Sequence, residues 1–454
     1  MGRQAVGLTV PAAPGTLPEE RAARQAWLAV VLLTVAFTLS YCDRHVLSLL
    51  VTPIKADLGI SDTRMGLLQG MAFSLFYVLA SLPLARLADA GHRPRLIAAC
   101  VAFWSVMTML CGAAAGFWQL LLARIGLAAG EAGLPPAAQT LMADSFSRRR
   151  LAHANAIFML APFVGGGLAY LGGGVLYALV ERWPVLSLPF VGELAQWQVV
   201  FMLVGAPGLP LALVIALWLR EPRSLQVRAA GRTSTRAMLR FVVGEWRFSM
   251  LYMIGVSLLV TVLNAHIGWM PTAFVRSHGV APGEVGLVFG PVYLVAGAAG
   301  TLLAGWLAGR GGGDPIGHQL RWMRRGALLL VMPAVAAPLA PTLNLGLMAI
   351  GLAVFLTSAI VAQAVLPFQF SAPLAVRSQV LALFGLVSAL VGTGMGPVLI
   401  GVLSDAFVGS AQPLTRALVV LAAALVPVVV LLLHVVMRQH QRVRLDLRQQ
   451  QEGP

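Results

Sequence analysis

Five residues that can carry charge stand inside apolar stretches of the sequence, where charge is costly. Asp43, Arg44 and His45 are consecutive in TLSYCDRHVLSL, and Arg124 and Glu131 lie in LLARIGLAAGEAGLPPAAQTLMADSF. A carboxylate can take up a proton, and a guanidinium can hold a phosphate or carboxylate through two parallel hydrogen bonds. Because a charge at the centre of a bilayer costs about 3 kcal/mol or more, residues of this kind in apolar segments indicate a functional site.

The composition indicates that these stretches belong to a membrane protein. Of the 454 residues, 58% are hydrophobic and 11% are charged, whereas a soluble domain carries about 25% charged residues. Apolar runs of about 20 residues, each long enough to span a bilayer, recur about twelve times along the chain. These runs begin near Trp27, Arg64, Leu96, Trp118, Ala154, Gln198, Met250, Gly283, Gly326, Leu343, Val380 and Ala417.

The 32 basic residues are distributed unevenly between the two ends of these runs. If the first run enters from the cytosol, only Lys55, Arg64, Arg182, Arg276 and Arg416 fall on the outer side. This positive-inside bias places both termini in the cytosol. The net charge of +15 therefore reflects topology and contact with anionic lipid headgroups, not a nucleic-acid partner. Short loops and a composition rich in Arg but nearly free of Lys favour a bacterial inner membrane.

A long polar stretch divides the runs into two sets of six. We predict a cytosolic tail over 1–26, a first bundle over 27–219, a basic loop over 220–247, a second bundle over 248–437 and a cytosolic tail over 438–454. The segment ARLADAGHRPR closes the second run, and the partial counterpart GWLAGR closes the eighth. Many secondary transporters have such a repeat and bind substrate between the halves near the midplane.

Arg124 and Glu131 are predicted to share one face of the fourth span, because seven residues make about two helical turns. Gly126 and Gly130 beside them allow a neighbouring helix or a ligand to approach closely. For Arg124 a structural alternative exists, in which the guanidinium ties the helix to backbone carbonyl groups. Glu131, as an acid without a fixed partner in a dry cavity, is the stronger candidate for a proton carrier.

Asp43 lies at a depth in the first span that matches the depth of Arg124 in the fourth. We expect Asp43 to face Arg124 or Arg44, depending on protonation and substrate, with Glu131 deeper in the same cavity. Arg44 is the candidate for binding an anionic group. Since adjacent helical positions point about 100° apart, His45 either faces this cavity or hydrogen-bonds a neighbouring helix.

The motifs resemble those of the major facilitator superfamily, and within it those of the Spinster-like lipid transporters. The likeness rests on the Asp43-Arg44 pair and on the segments GEAGLPPAAQTLMADSF, GWMPTAFVRSHG and GPVLIGVLSD. It implies an all-α fold of about twelve transmembrane helices in two six-helix bundles related by a pseudo-two-fold axis. It also implies proton coupling through Asp43 and Glu131, and headgroup recognition by Arg44.

The loop after the second span resembles the family's inner-gate motif. The resemblance implies a gate formed by Asp89 and Arg93, with Arg310 in the second copy. The second copy departs from the pattern, because Gly309 stands where the family has an acid. The glycine-rich stretches FVGGGLAYLGGG and GTGMGP indicate either hinges or tight helix packing.

The second half carries little charge in its spans. The tenth run has no acid or base, and the counterpart of the first span offers Asn264 and His266. We expect a charged head to bind the first half and an apolar tail to lie along the second, with Trp269 on that surface. The alternative for Trp269 is an aromatic anchor at the membrane interface.

These observations predict a proton-coupled secondary transporter that works by alternating access and moves an anionic amphiphile, such as a lysolipid or sphingoid phosphate. One alternative is transport of a small organic anion or a drug, and another is an uncoupled lipid scramblase or a receptor. An enzyme is not expected, since the sequence has no P-loop, nucleophile elbow or HExxH motif. Neither a cofactor nor a metal site is expected, since Cys42, Cys100 and Cys111 lack metal-binding spacing. We expect a monomer.

Overall fold

The computed structural model describes residues 17–183, 186–188, 192–221, 235–308, 314–373 and 376–451. The described chain is helical apart from a short antiparallel hairpin of β1 (Ser187–Leu188) and β2 (Gly192–Glu193). The helices of the first half are α1 (Leu17–Leu49), α2 (Val51–Leu58), α3 (Asp62–Gln69), α4 (Met71–Ala90), α5 (Arg93–Gly112), α6 (Phe117–Glu131), α7 (Leu134–Ser145), α8 (Arg148–Phe158), α9 (Ala161–Val180), α10 (Gln196–Gly205) and α11 (Gly208–Trp218).

The second half is built in the same way. Its helices are α12 (Thr235–Gly244), α13 (Trp246–His278), α14 (Pro282–Ala308), α15 (Pro315–Leu339), α16 (Leu343–Val361), α17 (Leu366–Ser371), α18 (Arg377–Val387), α19 (Met395–Ala406) and α20 (Pro413–Gln451). A π-helical segment, Ser388–Gly394, joins α18 to α19. The prediction of an all-α protein is confirmed.

Ten stretches of the described residues are long and apolar enough to cross a membrane, judged by length and composition. They are Ala23–Leu49, Asp62–Ala90, Arg93–Gly112, His153–Val180, Gln196–Trp218, Arg247–His278, Pro282–Leu307, Leu343–Ser371, Gln379–Ala406 and Pro413–Arg442. Two further predicted spans are also helical. The fourth is divided between α6 and α7, and the ninth, α15, carries arginines near its start.

Glycines bring the backbones of the two halves together. Helix α9 packs against α14, and α3 and α4 pack against the π-helical segment and α19. A Cβ atom added to Gly174 would lie 2.6 Å from the carbonyl oxygen of Gly283, and one added to Gly290 would lie 2.7 Å from that of Gly167. Gly174 and Gly290 therefore provide tight packing between the halves, because a side chain at either position would force the helices apart.

Polar groups reinforce this contact where α3 begins and α19 ends, which we call the closed face. Arg276 of α13 donates two hydrogen bonds, at 2.8 and 2.9 Å, to the carboxylate of Asp62 on α3. Ser404 Oγ donates to the same carboxylate at 2.7 Å. Asp405 accepts hydrogen bonds from the backbone N–H groups of Asp62 and Thr63. These residues form a polar lock between the halves.

Replacing Gly174 by leucine is expected to open the closed face, because the new side chain would overlap the Gly283 carbonyl. Met65, which is fully buried on α3, provides a reporter position once it is changed to cysteine. We expect an impermeant maleimide, added on the side of the closed face, to label this cysteine about tenfold faster in the Gly174→Leu variant. That change corresponds to a shift of about 1.4 kcal/mol in the opening equilibrium.

Gly172→Leu is the matched control on the same helix, because nothing lies within 4 Å of a Cβ atom at that position. The background carries alanine at the three native cysteines, Cys42, Cys100 and Cys111. Equal labelling rates in the two leucine variants would contradict the assignment of Gly174 to a closing contact.

Candidate functional site

A buried ion pair joins α1 to α6. Arg44 Nη2 lies 2.6 Å from Glu131 Oε2, and the side chains are 16% and 1% exposed respectively. Glu131 is the last residue of α6, and Pro135 in the first turn of α7 cannot donate the N–H that a continuous helix would need. The break in the fourth span thus places the carboxylate at a helix end inside the first half. This arrangement differs from the expectation that Glu131 lacks a fixed partner, because its carboxylate is paired with Arg44.

Aromatic rings surround the guanidinium of Arg44. Its Cζ atom lies 4.1 Å from the ring centroid of Phe73, 4.6 Å from that of Tyr41 and 5.6 Å from that of Tyr77. Rings at these distances attract a cation through their electron-rich faces. The rings therefore hold the guanidinium in place independently of Glu131.

Asp43 and Arg124 meet beside this pair, but not as an ion pair of side chains. Arg124 is fully buried, and it donates to the backbone oxygens of Asp43 at 3.3 Å and Leu68 at 3.4 Å. This arrangement is the structural alternative considered for Arg124. The Asp43 carboxylate lies beside Thr108 and Trp104 of α5, and its Oδ1 has no hydrogen-bond partner among the described residues.

The four charged residues form one cluster, in which both guanidinium groups lie near the ring of Phe73. The Cζ atoms of Arg44 and Arg124 lie 4.1 and 5.6 Å from its ring centroid. We call Asp43, Arg44, Arg124 and Glu131 the charged cluster. Its two acids and two bases come from α1 and α6 of the first half.

His45 lies where the halves meet. Its ring centroid is 5.9 Å from the centroids of Tyr41, Tyr170 and Tyr293, and Tyr293 belongs to α14 of the second half. The hydroxyl of Tyr170 crosses the same interface and donates to the carbonyl oxygen of Ile267 at 2.9 Å. His45 therefore shares Tyr41 with Arg44 but otherwise contacts Tyr170 and Tyr293, at the boundary between the halves.

The residues predicted in the second half make their hydrogen bonds within that half. Asn264 donates to a carbonyl one turn earlier on α13. His266 is buried, and its ring nitrogens lie 2.8 and 2.9 Å from carbonyl oxygens of α13 and of Ala334. Trp269 is fully buried and donates to the carbonyl oxygen of Pro397. In this conformation these polar atoms form hydrogen bonds with backbone carbonyl oxygens and are not directed at the charged cluster.

Of the predicted inner-gate residues, Arg93 forms ion pairs with two acids outside the predicted gate. Arg93 Nη1 lies 2.7 Å from Asp144 Oδ2, and Arg93 Nε donates to Glu221 Oε1 at 2.5 Å. Asp89 is exposed, and Arg310 lies outside the described residues. Arg93 therefore links three segments of the first half.

Sequence reasoning missed the polar lock and the partners of Arg93. The residues of the lock lie at the ends of spans, where a polar side chain is ordinary in a membrane protein. One signal was available. Asp62 follows Ser61, which caps α3, and both Arg276 and Asp405 fall in the family-like motifs, at the same predicted side of the membrane.

Comparisons with known proteins agree with this architecture. The family model described as Major Facilitator Superfamily matches residues 33–393. An MFS-type efflux pump of Mycolicibacterium smegmatis is 30% identical over 88% of this chain and 90% of that protein. Protein spinster of Drosophila melanogaster is 25% identical over 63% of this chain and 46% of that protein.

A solved structure shows the same fold. The crystal structure of a bacterial homolog of the human lysosomal transporter Spinster, in an inward-facing and unoccupied conformation, superposes with a TM-score of 0.76. The two chains are 25% identical, and the superposition covers 93% of this chain and 97% of that chain. The fold and these relatives are those of transporters and not of enzymes. The chain belongs to the Major Facilitator Superfamily, and within that superfamily it resembles the Spinster-like transporters.

Proposed function

We propose that this transporter couples the movement of protons to that of an anionic amphiphile with a phosphate or carboxylate head. The observation that carries the proposal is the buried pair of Arg44 and Glu131. A guanidinium is a good ligand for either anion, and an acid facing it can exchange its charge for a proton. The contact between Arg44 and Glu131 thereby links binding of the anion to binding of the proton.

The proposed coupling follows from the cost of an unpaired buried charge. When a substrate anion binds Arg44, it displaces the carboxylate of Glu131. A bare carboxylate at this depth costs several kcal/mol, so Glu131 takes up a proton as Arg44 leaves. Conversely, protonation of Glu131 frees Arg44 for the anion while the rings around it keep it in place. Proton and anion therefore bind together.

Asp43 is proposed as a second proton site. Its carboxylate is buried with an unpartnered oxygen, and it lies in the same cluster as Glu131. Two acids this close titrate as a pair. Arg124 has two proposed roles: it holds α6 against the carbonyl groups of its neighbours in the resting state, or it contributes to anion binding during transport.

The lipid-like substrate is proposed from the asymmetry of the halves and from the Spinster-like resemblance. The charged head would bind the first half, with His45 at the boundary, and the tail would lie along the second half, where we retain Asn264, His266 and Trp269 as candidate contacts. A relative named as an efflux pump favours a different cargo, a small organic anion or a drug. Uncoupled passage of lipid and a receptor role are two further candidate functions.

Alternating access would move the bundles proposed over 27–219 and 248–437 about the charged cluster. With both termini in the cytosol of a bacterial inner membrane, the closed face is the outer face. The proposed inner gate of Asp89, Arg93 and Arg310 would close the opposite face. We propose that a single chain is sufficient, since both halves of the site lie within it.

Glu131→Gln is expected to abolish proton-driven transport, because the amide cannot exchange a proton. The measurement is uptake of a radiolabelled lysophospholipid into proteoliposomes with and without an imposed pH gradient. We expect the gradient to accelerate uptake by wild type and to have no effect on the variant. Asp43→Asn should lose at least part of this acceleration.

Glu193→Gln is the matched control, because Glu193 is an exposed acid on β2. Gradient-driven uptake retained in both the Glu131 and Asp43 variants would refute proton coupling at the cluster. Competition by small carboxylates but not by long-chain amphiphiles would favour a soluble anion as the cargo. Flux indifferent to headgroup and to pH would indicate an uncoupled facilitator, and absence of flux would leave the receptor.

Asp62→Asn is expected to weaken the polar lock, because an amide replaces the carboxylate that faces Arg276 and Lys55. In the Met65→Cys background, labelling from the closed face should become about tenfold faster, the change given by about 1.4 kcal/mol. Asp57→Asn is the control, since Asp57 pairs with Trp197 of the same half. Equal labelling of the two variants would mean that Asp62 does not hold the halves together.

A further inference from the structure

A pocket of about 200 Å³ lies in the second half on the face opposite the closed face. Five helices contribute to it: α12, the start of α13, the start of α15, the end of α17 and the last part of α20. Its apolar wall consists of Phe241, Phe248 and Ile316, and Glu245, Ser371, Gln439 and His440 supply polar groups. The charged cluster belongs to the first half, so the pocket is a separate feature.

The apolar wall is braced by neighbouring rings. Phe248 stacks on Tyr252 with centroids 6.0 Å apart, and it meets Phe368 edge-on at 6.1 Å. Tyr252 and Phe368 also contact each other, with centroids 5.3 Å apart. Because these rings fix one another, the wall has a defined shape before any ligand arrives. A flat aromatic group matches such a wall in geometry.

The polar side of the pocket has unused hydrogen-bond capacity. Ser371 Oγ and Gln439 Oε1 are buried without a partner among the described residues. Ser249 Oγ and Gln319 Nε2, each within three residues of a lining residue, are in the same condition. Buried polar atoms are paired in the great majority of cases, so such a group of unpaired atoms calls for a ligand or for water.

The chemistry of this side favours a ligand that donates hydrogen bonds and carries positive charge. The oxygen of an amide accepts hydrogen bonds, and the carboxylate of Glu245 is an acceptor with negative charge. His440 is held by Asp314, whose Oδ1 lies 2.9 Å from its Nε2. Asp314 Oδ2 also lies 3.8 Å from Arg321 Nη1, so its charge is balanced by that guanidinium. The carboxylate of Glu245 disfavours an anion in the pocket.

We propose that this pocket binds an arylalkylammonium, with the aromatic group against Phe241 and Phe248 and the ammonium between Glu245, Ser371 and Gln439. The ammonium has three N–H donors for three oxygen-bearing side chains. The site joins α12, which precedes the second bundle, to the long helix α20. The proposal is independent of the substrate that the transporter carries.

The test uses three probes that differ only in the polar group: 2-phenylethylammonium, 2-phenylethanol and phenylacetate. Binding to the full-length protein in lipid nanodiscs is measured by calorimetry at neutral pH. We expect the ammonium to bind about tenfold more tightly than the alcohol, as one charge-assisted hydrogen bond would give. Phenylacetate should bind most weakly.

Glu245→Gln should remove the preference for the ammonium over the alcohol, and Ser371→Ala should weaken binding of the ammonium severalfold. Glu284→Gln, an acid in the first turn of α14, is the matched control and should keep the wild-type preference. Equal affinities for ammonium and alcohol, no binding of the ammonium to wild type, or a preference that survives in Glu245→Gln would each overturn the proposal. A preference lost in Glu131→Gln instead would place the amine in the charged cluster and would overturn it as well.

Discussion

The buried pair of Arg44 and Glu131 is the interaction on which the first half depends. Two charges removed from water repay their desolvation only when the geometry is close and the remaining hydrogen bonds are made. The chain meets the first part of this condition by breaking the fourth span after Glu131, and rings such as Phe73 add to the stabilisation of Arg44. Arg44 Nε and Glu131 Oε1 are buried without a hydrogen-bond partner among the described residues. Removing either charge would leave the other exposed to a medium that cannot solvate it. In the proposed function, a state with one of them free therefore forms only when a proton or an anion replaces the partner.

Close backbone contact governs the boundary between the halves. Helices there meet through glycine backbones, as at Gly174 and Gly290, while aromatic side chains such as Tyr170 and Tyr293 pack across the same boundary. Buried apolar residues of both halves, Tyr170 and Val285 among them, belong to one continuous core. The polar lock makes this contact stronger at the closed face, because its residues lie at that face. In the proposed function, proton and anion chemistry stays inside one bundle, and movement takes place at the boundary.

The sequence was sufficient for the twelve helical runs and for the charged residues of the cluster, since both depend on residue type and spacing. The sequence was insufficient to predict which of these charged residues pair with each other. Whether Arg44 faces Asp43 or Glu131 depends on the rotation of α1 against α6, which long-range packing decides. In the second half, residue type did not distinguish a substrate-binding residue from a structural one. The ring nitrogens of His266, for example, lie against backbone carbonyl oxygens. Asp62 was overlooked because its partners come from distant parts of the chain.

Asp405 contributes a contact to the closed face that does not depend on the side chains of its partners. It accepts hydrogen bonds from the main-chain N–H groups at the start of α3, where the dipole of the helix also favours a negative charge. Every residue except proline supplies such a group, so substitutions at positions 62 and 63 leave this part of the contact in place. This part of the contact therefore does not depend on the side chains at positions 62 and 63, whereas it does depend on the carboxylate at position 405. A contact made to the backbone therefore persists when the side chains of the residues that supply the N–H groups change.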